Sequence, residues 1–293
     1  MPFRRAHQLI RPSLALVGIL ACARTEKAPA ADSAPAASAM PTAEPTVITI
    51  VASDFKYDAP DTIAAGMVSL KLVNKGPELH HISIARLTGG KTFADFGRAM
   101  KAMKPTDQPP AWMETVAGPN APVPGGEQVL TEELTPGNYV LICFIPSADH
   151  VPHFAKGMVK SLTVIPSTGA VAAAPVADVT VMMTDYAWQI SPVITAGKHI
   201  IRLENSATQP HEMFIIRLEK GKTPMDAAVW AETRKGPQPG MPMGGVSGMA
   251  KGDVAYLPVN LTPGEYALIC FLPDMKDGKP HFLHGMMKSI TVN

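Results

Sequence analysis

The chain has no surplus of charge, almost no cysteine and no long apolar run. Lysine and arginine number 26 against 25 aspartates and glutamates, so nothing in the balance points to nucleic acid or an acidic membrane surface as a partner. The cysteines are Cys22, Cys143 and Cys270. Beyond the leader, each half of the chain holds one, so neither half can close a disulfide of its own. An exported domain would then carry a free thiol into an oxidising compartment. A metal held by the thiolate resolves that tension; the plainer alternative is a buried cysteine acting as a small hydrophobe. The apolar run at 14–20 is too short to cross a bilayer.

That run follows a basic start and precedes small residues, so residues 1–22 read as an export signal. Ile19-Leu20-Ala21-Cys22 resembles a bacterial lipoprotein cleavage site, which would make Cys22 the lipidated first residue; ordinary secretory cleavage nearby is the simpler reading. Residues 23–45 are mostly Ala, Pro, Ser and Thr, too poor in large apolar side chains to offset the entropy of ordering, and read as a disordered tether. A shorter stretch of the same kind, PSTGAVAAAP at 166–175, marks the boundary, with a linker read at 167–176 between a first domain, 46–166, and a second, 177–293. The expected location is the periplasm or cell envelope, with the membrane reached only through a lipid on Cys22.

The two domains are copies of one unit. At an offset of 131, Phe55, Tyr57, Asn74, His80 and Arg86 fall on Tyr186, Trp188, Asn205, His211 and Arg217. Toward the ends the offset becomes 127 or 128, superposing Tyr139, Cys143, His153 and Met158 on Tyr266, Cys270, His281 and Met286. Each copy contains short β-branched runs, such as VITIVA, VSLKLV and KSLTVI in the first and DVTVMM, HIIRLE and KSITVN in the second, bounded by Gly, Pro, Asn and Asp. The fold class is therefore all-β: two tandem Greek-key β-sandwiches. One short helix is inserted in each, near 93–103 and 225–234, where Thr92 and Thr223 cap starts with an acid three residues on.

Each copy closes with a strand-like run to a cysteine, a turn-rich loop, a histidine, four residues, a methionine and a last strand. The sets are Cys143, His153, Met158 and Cys270, His281, Met286. A thiolate, an imidazole and a thioether make a soft metal pocket, and a second histidine from a neighbouring strand would complete the set that selects copper for one-electron transfer. Alone, each methionine at a strand start reads as core. His81, which has Glu212 opposite it in the repeat, reads as a surface residue, and His150 and His284 have no counterparts. Met241, Met243 and Met249 lie in a Gly- and Pro-rich stretch read as a loop, either packed on its own domain or offering thioethers to Cu(I).

The segments GNYVLIC…H…GMVKSLTV and GEYALIC…H…GMMKSITVN resemble the closing strand, ligand loop and last strand of plastocyanin-type cupredoxins. Asn74 with His80, and Asn205 with His211, are similar to the family's asparagine and first histidine ligand. The resemblance implies type 1 copper, up to one per domain, held by His80, Cys143, His153 and Met158 and by His211, Cys270, His281 and Met286. It also implies electron exchange with a redox partner protein such as a cytochrome or oxidase, across the apolar rim formed by Pro152 and Phe154 or Pro280 and Phe282. Nine and ten residues separate cysteine from loop histidine, where plastocyanin has two. Copper oxidases of the superfamily need a histidine beside the cysteine and His-x-His pairs; Ile142 and Ile269 precede the cysteines and no His-x-His occurs. The expected function is a one-electron carrier and not an enzyme. The alternatives are a periplasmic Cu(I)-handling protein and a copper-free cupredoxin scaffold that binds a partner.

Overall fold

Runs of β-branched residues cut short by glycine, proline and asparagine give short strands, and the computed structural model describes them over residues 43–104, 107–170 and 172–293. The expected signal segment with Cys22, and nearly all of the expected tether, lie outside the described residues. In the first half the order is β1 (Thr46–Ser53), β2 (Lys56–Asp58), β3 (Thr62–Ala64), β4 (Gly66–Asn74), β5 (Ser83–Leu87), α1 (Phe93–Ala102), β6 (Met113–Val116), β7 (Gly118–Pro119), β8 (Glu127–Leu134), β9 (Gly137–Ile142) and β10 (Val159–Ile165). The second half has β11 (Val179–Thr184), β12 (Ala187–Ser191), β13 (Gly197–Asn205), β14 (His211–Leu218), α2 (Pro224–Thr233), β15 (Gly240–Met249), β16 (Val254–Leu261), β17 (Gly264–Ile269) and β18 (Met287–Val292).

In each half two sheets face one another. The first strand lies parallel to the strand that ends in asparagine: β1 pairs β4 from Thr46 opposite Val68 to Ala52 opposite Asn74, and β11 pairs β13 from Val179 opposite Ile201 to Met183 opposite Asn205. The cysteine strand runs antiparallel to the last strand, with Ile142 opposite Val159 and Ile269 opposite Met287. Alternation turns Ile50, Leu70, Leu72, Tyr139, Leu141 and Leu162 into the first core, and Val181, Met183, Ile201, Leu203, Tyr266 and Leu268 into the second. Tyr139 and Tyr266 are fully buried, and each hydroxyl donates to a carbonyl four residues back, that of Thr135 at 2.7 Å and of Thr262 at 2.9 Å. A buried phenol needs such a partner, and this corner fixes the start of each cysteine strand.

The halves share structure. One eight-stranded sheet runs through both in the order β12-β11-β13-β16-β8-β4-β1-β2, joined where Glu132 and Thr131 face Ala255 and Tyr256. Strand β7 of the first half pairs with β15 of the second, Pro119 opposite Val246. The stretch carrying Met241, Met243 and Met249 is thus strand β15 and not a loop: its pairing to β14 supplies the backbone hydrogen bonds that glycine and proline seemed to deny it, with irregular register at two places. Met249 is fully buried in the second core and Met243 packs against it, while Met241 is exposed.

Both helices start as their caps require. Thr92 and Thr223 accept the backbone N–H of Asp95 and Asp226, and those carboxylates accept the threonine N–H in return. Thr92→Ala or Thr223→Ala should each lower stability by about 1 kcal/mol, read as a shift of the denaturant midpoint with the sheet signal in circular dichroism unchanged.

Candidate metal centres

Position in each site begins with an asparagine. Asn74 ends β4, donates its amide to the Glu78 carbonyl at 2.8 Å and accepts the Gly76 N–H at 3.0 Å, so the chain between it and His80 is folded into one shape. Asn205 does the same with Gln209 at 3.0 Å and Ala207 at 2.9 Å. The loop histidine and methionine are set by a helix-ending turn. His153–Lys156 and His281–His284 are single 3-10 turns closed by Gly157 at φ 107° and Gly285 at φ 93°, the left-handed region glycine enters without steric cost. The N–H of Met158 then bonds the His153 carbonyl at 2.9 Å, and that of Met286 the His281 carbonyl at 3.0 Å. This six-to-one closure is the reason for four residues between histidine and methionine.

The long connector does not carry the histidine away. Pro146 bridges Pro152, and Pro273 bridges Pro280, pinching the extra residues into a side loop. The His153 N–H returns to the carbonyl of Ile145, and the His281 N–H to that of Leu272, each two residues past the cysteine.

The predicted residues therefore meet. His80 Nδ1 lies 3.1 Å from His153 Nδ1, which lies 3.4 Å from Cys143 Sγ. His211 Nδ1 lies 3.0 Å from His281 Nδ1, which lies 3.3 Å from Cys270 Sγ. All six residues are essentially inaccessible. Donors bound about 2.0 to 2.3 Å from one ion stand roughly 3 to 3.7 Å apart at trigonal or tetrahedral angles; two of the three separations in each triad fall at that spacing, and the third is within 4.8 Å. Met158 and Met286 are buried in the same cores as their cysteines. Two imidazoles and a cysteine sulfur brought together in a dry pocket fit type 1 copper.

Outer partners, absent from the sequence reading, orient the rings. His153 Nε2–H donates to Glu78 at 3.0 Å and His211 Nε2–H to Asp185 at 3.2 Å, which leaves Nδ1 of each as a bare lone pair. The other rings leave Nε2 buried with no hydrogen-bond partner among the described residues: His80 Nε2 faces Asp54 at 3.6 Å, and His281 Nε2 faces Asp274 at 3.8 Å. If those nitrogens carry the protons that face the acids, four Nδ1 lone pairs and two sulfurs point inward in two groups, an arrangement that a cation stabilises. The signal that could have revealed these acids is weak: Asp54 and Asp185 do coincide in the repeat, whereas Glu78 has Gln209 opposite it. A further group, Asp274, Asp277 and His284, has its oxygens committed to hydrogen bonds, from the Gln209 amide at 2.9 Å, the Lys276 N–H at 2.8 Å and the His284 ring at 3.1 Å.

Burial governs the protonation of the metal-free sites. It pushes the Cys143 thiol up to about 11 and the Cys270 thiol well above its ordinary value, so the thiolate forms only as a soft cation displaces the proton. Burial also lowers His80, His153 and His211, and it holds His281 down to about 4, with His211 beside it acting in the same direction. The rings are neutral ligands at neutral pH. His81 is not on the surface, as its lack of a repeat counterpart suggested. It is buried, accepts the Phe144 N–H on Nε2 at 3.0 Å, and is pushed down to about 3 mainly by desolvation.

No protein-family model and no curated protein matches the chain. Among solved structures it is similar to dithionite-reduced auracyanin from Roseiflexus castenholzii, with 25% identity over 42% of this chain and 100% of that one, at a TM-score of 0.29. Auracyanin A, a blue copper protein from Chloroflexus aurantiacus, matches with 18% identity over 41% of this chain and 99% of that one, at a TM-score of 0.29. A multicopper oxidase matches with 15% identity over 84% of this chain and 88% of that one, at a TM-score of 0.25.

Removing an outer carboxylate, by Glu78→Gln or Asp185→Asn, should weaken copper binding about 10- to 100-fold, measured by competition with a chelator of known affinity. The metal-free protein should also lose stability as pH falls. Between the ordinary histidine value of 6.5 and about 4, the unfolded chain binds a proton that folded His281 refuses, so unfolding gains protons and stability rises with pH across that window. Denaturant midpoints of the metal-free protein across the window test the sign.

Proposed function

We propose that the protein is a one-electron carrier with a type 1 copper site in each half, held by His80, Cys143, His153 and Met158 and by His211, Cys270, His281 and Met286. The observation that carries this reading is the twofold convergence of two Nδ1 atoms and one Sγ at 3.0 to 3.4 Å in a dry pocket. Copper bound there would supply a centre that alternates between Cu(I) and Cu(II). The chain's part is to keep the donors where both states accept them, so that little rearranges when the electron moves. The asparagine pin, the turn closed by glycine and the outer carboxylates each remove a freedom from one ring. Burial excludes water, which would otherwise reorganise around a changing charge.

A carrier is favoured over an oxidase by a positive feature of the interior. His81, the further buried histidine near a cysteine, accepts the Phe144 N–H on Nε2 at 3.0 Å, so that nitrogen is committed to hydrogen bonding and not to a second metal. The leader 1–22, with Cys22 as a lipid-bearing residue, supports export to the periplasm or cell envelope. A redox protein, such as a cytochrome or oxidase, would be the partner. The apolar side chains exposed beside the sites, Phe144 in the first half and Met275 and Leu283 in the second, support docking at that end.

The purified protein should bind two copper ions per chain and show an intense visible thiolate-to-copper band with reversible one-electron reduction. Cys143→Ser and Cys270→Ser should each remove one ion and about half of the band, in proportion to the sites left. Tight colourless Cu(I) binding with no such band would instead favour a copper-handling role. A double variant that keeps full function and stability would favour the copper-free scaffold.

A further inference from the structure

Strand β8 serves both halves, and its inner face passes from one core to the other. Leu130 is buried in the second core and Leu134 in the first, so alternation sets Glu132 between them on the same face. Across the sheet its neighbours are Val68 of the first core and Ala255 of the second. The side chain is thus an acid among four apolar ones. It is 4% exposed, and its Oε1 has no hydrogen-bond partner among the described residues. A buried carboxyl left in that state costs free energy until something with donors meets it.

Glu132 lines a cavity of about 500 Å³ at the joint of the halves, a volume within the range of about 300 to 1,000 Å³ of small-ligand sites. Thr115, Val116 and Leu134 form its first-half side, and Ala250, Asp253 and Val254 its second-half side. Glu114 and Glu133 bring the lining acids to four, against one basic residue, Arg86. That guanidinium is already engaged, 3.5 Å from Glu114 and donating to the Pro136 carbonyl at 3.3 Å. Asp253 accepts the Ala250 N–H on Oδ2 at 2.7 Å. Negative charge therefore outnumbers positive, and the most buried of the four acids is the unpartnered one. Among the described residues these acids form no group of three with oxygens within 4.8 Å of one another, whereas a hard metal ion gathers several oxygens around one point. An ammonium group needs only one ionised acceptor and brings three N–H donors of its own. We propose that this cavity binds a small organic ammonium ion, its N–H groups on the Glu132 carboxylate and its carbon chain along Val116, Leu134 and Val254. The site is independent of the copper reading.

Burial pushes the Glu132 carboxyl well above its ordinary value and holds Asp253 up to about 6. The other charged or titratable groups of the cavity are Arg86, Glu114, Glu133 and Tyr139, whose hydroxyl donates to the Thr135 carbonyl. The arriving cation therefore displaces the Glu132 proton to solvent, and binding tightens as pH rises, until the ammonium group itself deprotonates. Calorimetric titration of the full chain with butylammonium chloride tests the site, with n-butanol and calcium chloride as controls. The expected result is saturable binding of butylammonium at a single site, none of n-butanol, and proton release that shows as a difference between buffers of unlike ionisation enthalpy. Glu132→Gln keeps the shape and removes the charge; it should weaken binding about 10-fold or more and abolish the proton release. Asp253→Asn, whose amide oxygen can still accept the Ala250 N–H, should weaken binding severalfold and serves if Glu132→Gln does not fold. Absence of saturable binding in the parent overturns the site, as does unchanged affinity in a folded variant. Saturation by calcium without any by butylammonium, or equal binding of n-butanol, overturns the ligand class.

Discussion

Two imidazole nitrogens and a sulfur meet in a dry cavity in each half, and the fold is arranged to hold them there. His80 and His153 present Nδ1 atoms 3.1 Å apart, His211 and His281 3.0 Å apart, and each pair is capped by a sulfur. Here the ring positions are over-determined, by carboxylates on the outer nitrogens of His153 and His211 and by backbone hydrogen bonds on either side of each loop histidine. Donors held close together by covalent and hydrogen-bonded geometry are the physical content of a preorganised metal site.

The same constraint explains which parts of the molecule could be read from the sequence. The six histidines and cysteines that meet in the two triads and the two helix starts depend on local spacing: an asparagine six residues before a histidine, a glycine that closes a turn, a threonine with an acid three residues on. Local spacing survives in one dimension. Strand β15 was misread because its glycines and prolines weaken any local preference, and its pairing to β14 comes from residues far along the chain. The outer acids and the burial of His81 were invisible for a related reason. Asp54, Glu78, Asp274 and Asn120 reach the sites from four different loops, and only the closed sandwich brings them together.

Although the two sites share their donors, their surroundings diverge. Phe55 stacks edge-on against His153, whereas its counterpart Tyr186 also gives a hydroxyl to Asp274. The acid that faces the loop histidine comes from Glu78, partly exposed, in the first half, and from Asp274, buried, in the second. Arg234, the left-handed cap that ends α2 of the second half, stacks on Trp230 and lies near Glu78 and Cys143 of the first. Tyr57 packs beside the Cys143 thiol and donates to the His81 carbonyl, where the second copy has Trp188, whose indole N–H finds no acceptor among the described residues. Charges and dipoles this near a centre set the relative stability of its two redox states, so equal donors do not make equal potentials.

That divergence would matter little if the halves were tethered loosely, since each would then meet partners on its own terms. They are not independent bodies. The continuous eight-stranded sheet passes from β16 to β8, and β7 has left the first half's own sheets to lie on β15. Each of these joints is backbone hydrogen bonding, with a fixed register, so a hinge motion between the halves would break strand pairs and not merely slide side chains. The separation and orientation of the two centres are therefore properties of the fold itself. Two copies that share one sheet therefore hold their two donor triads at a fixed separation, while the side chains around each triad differ.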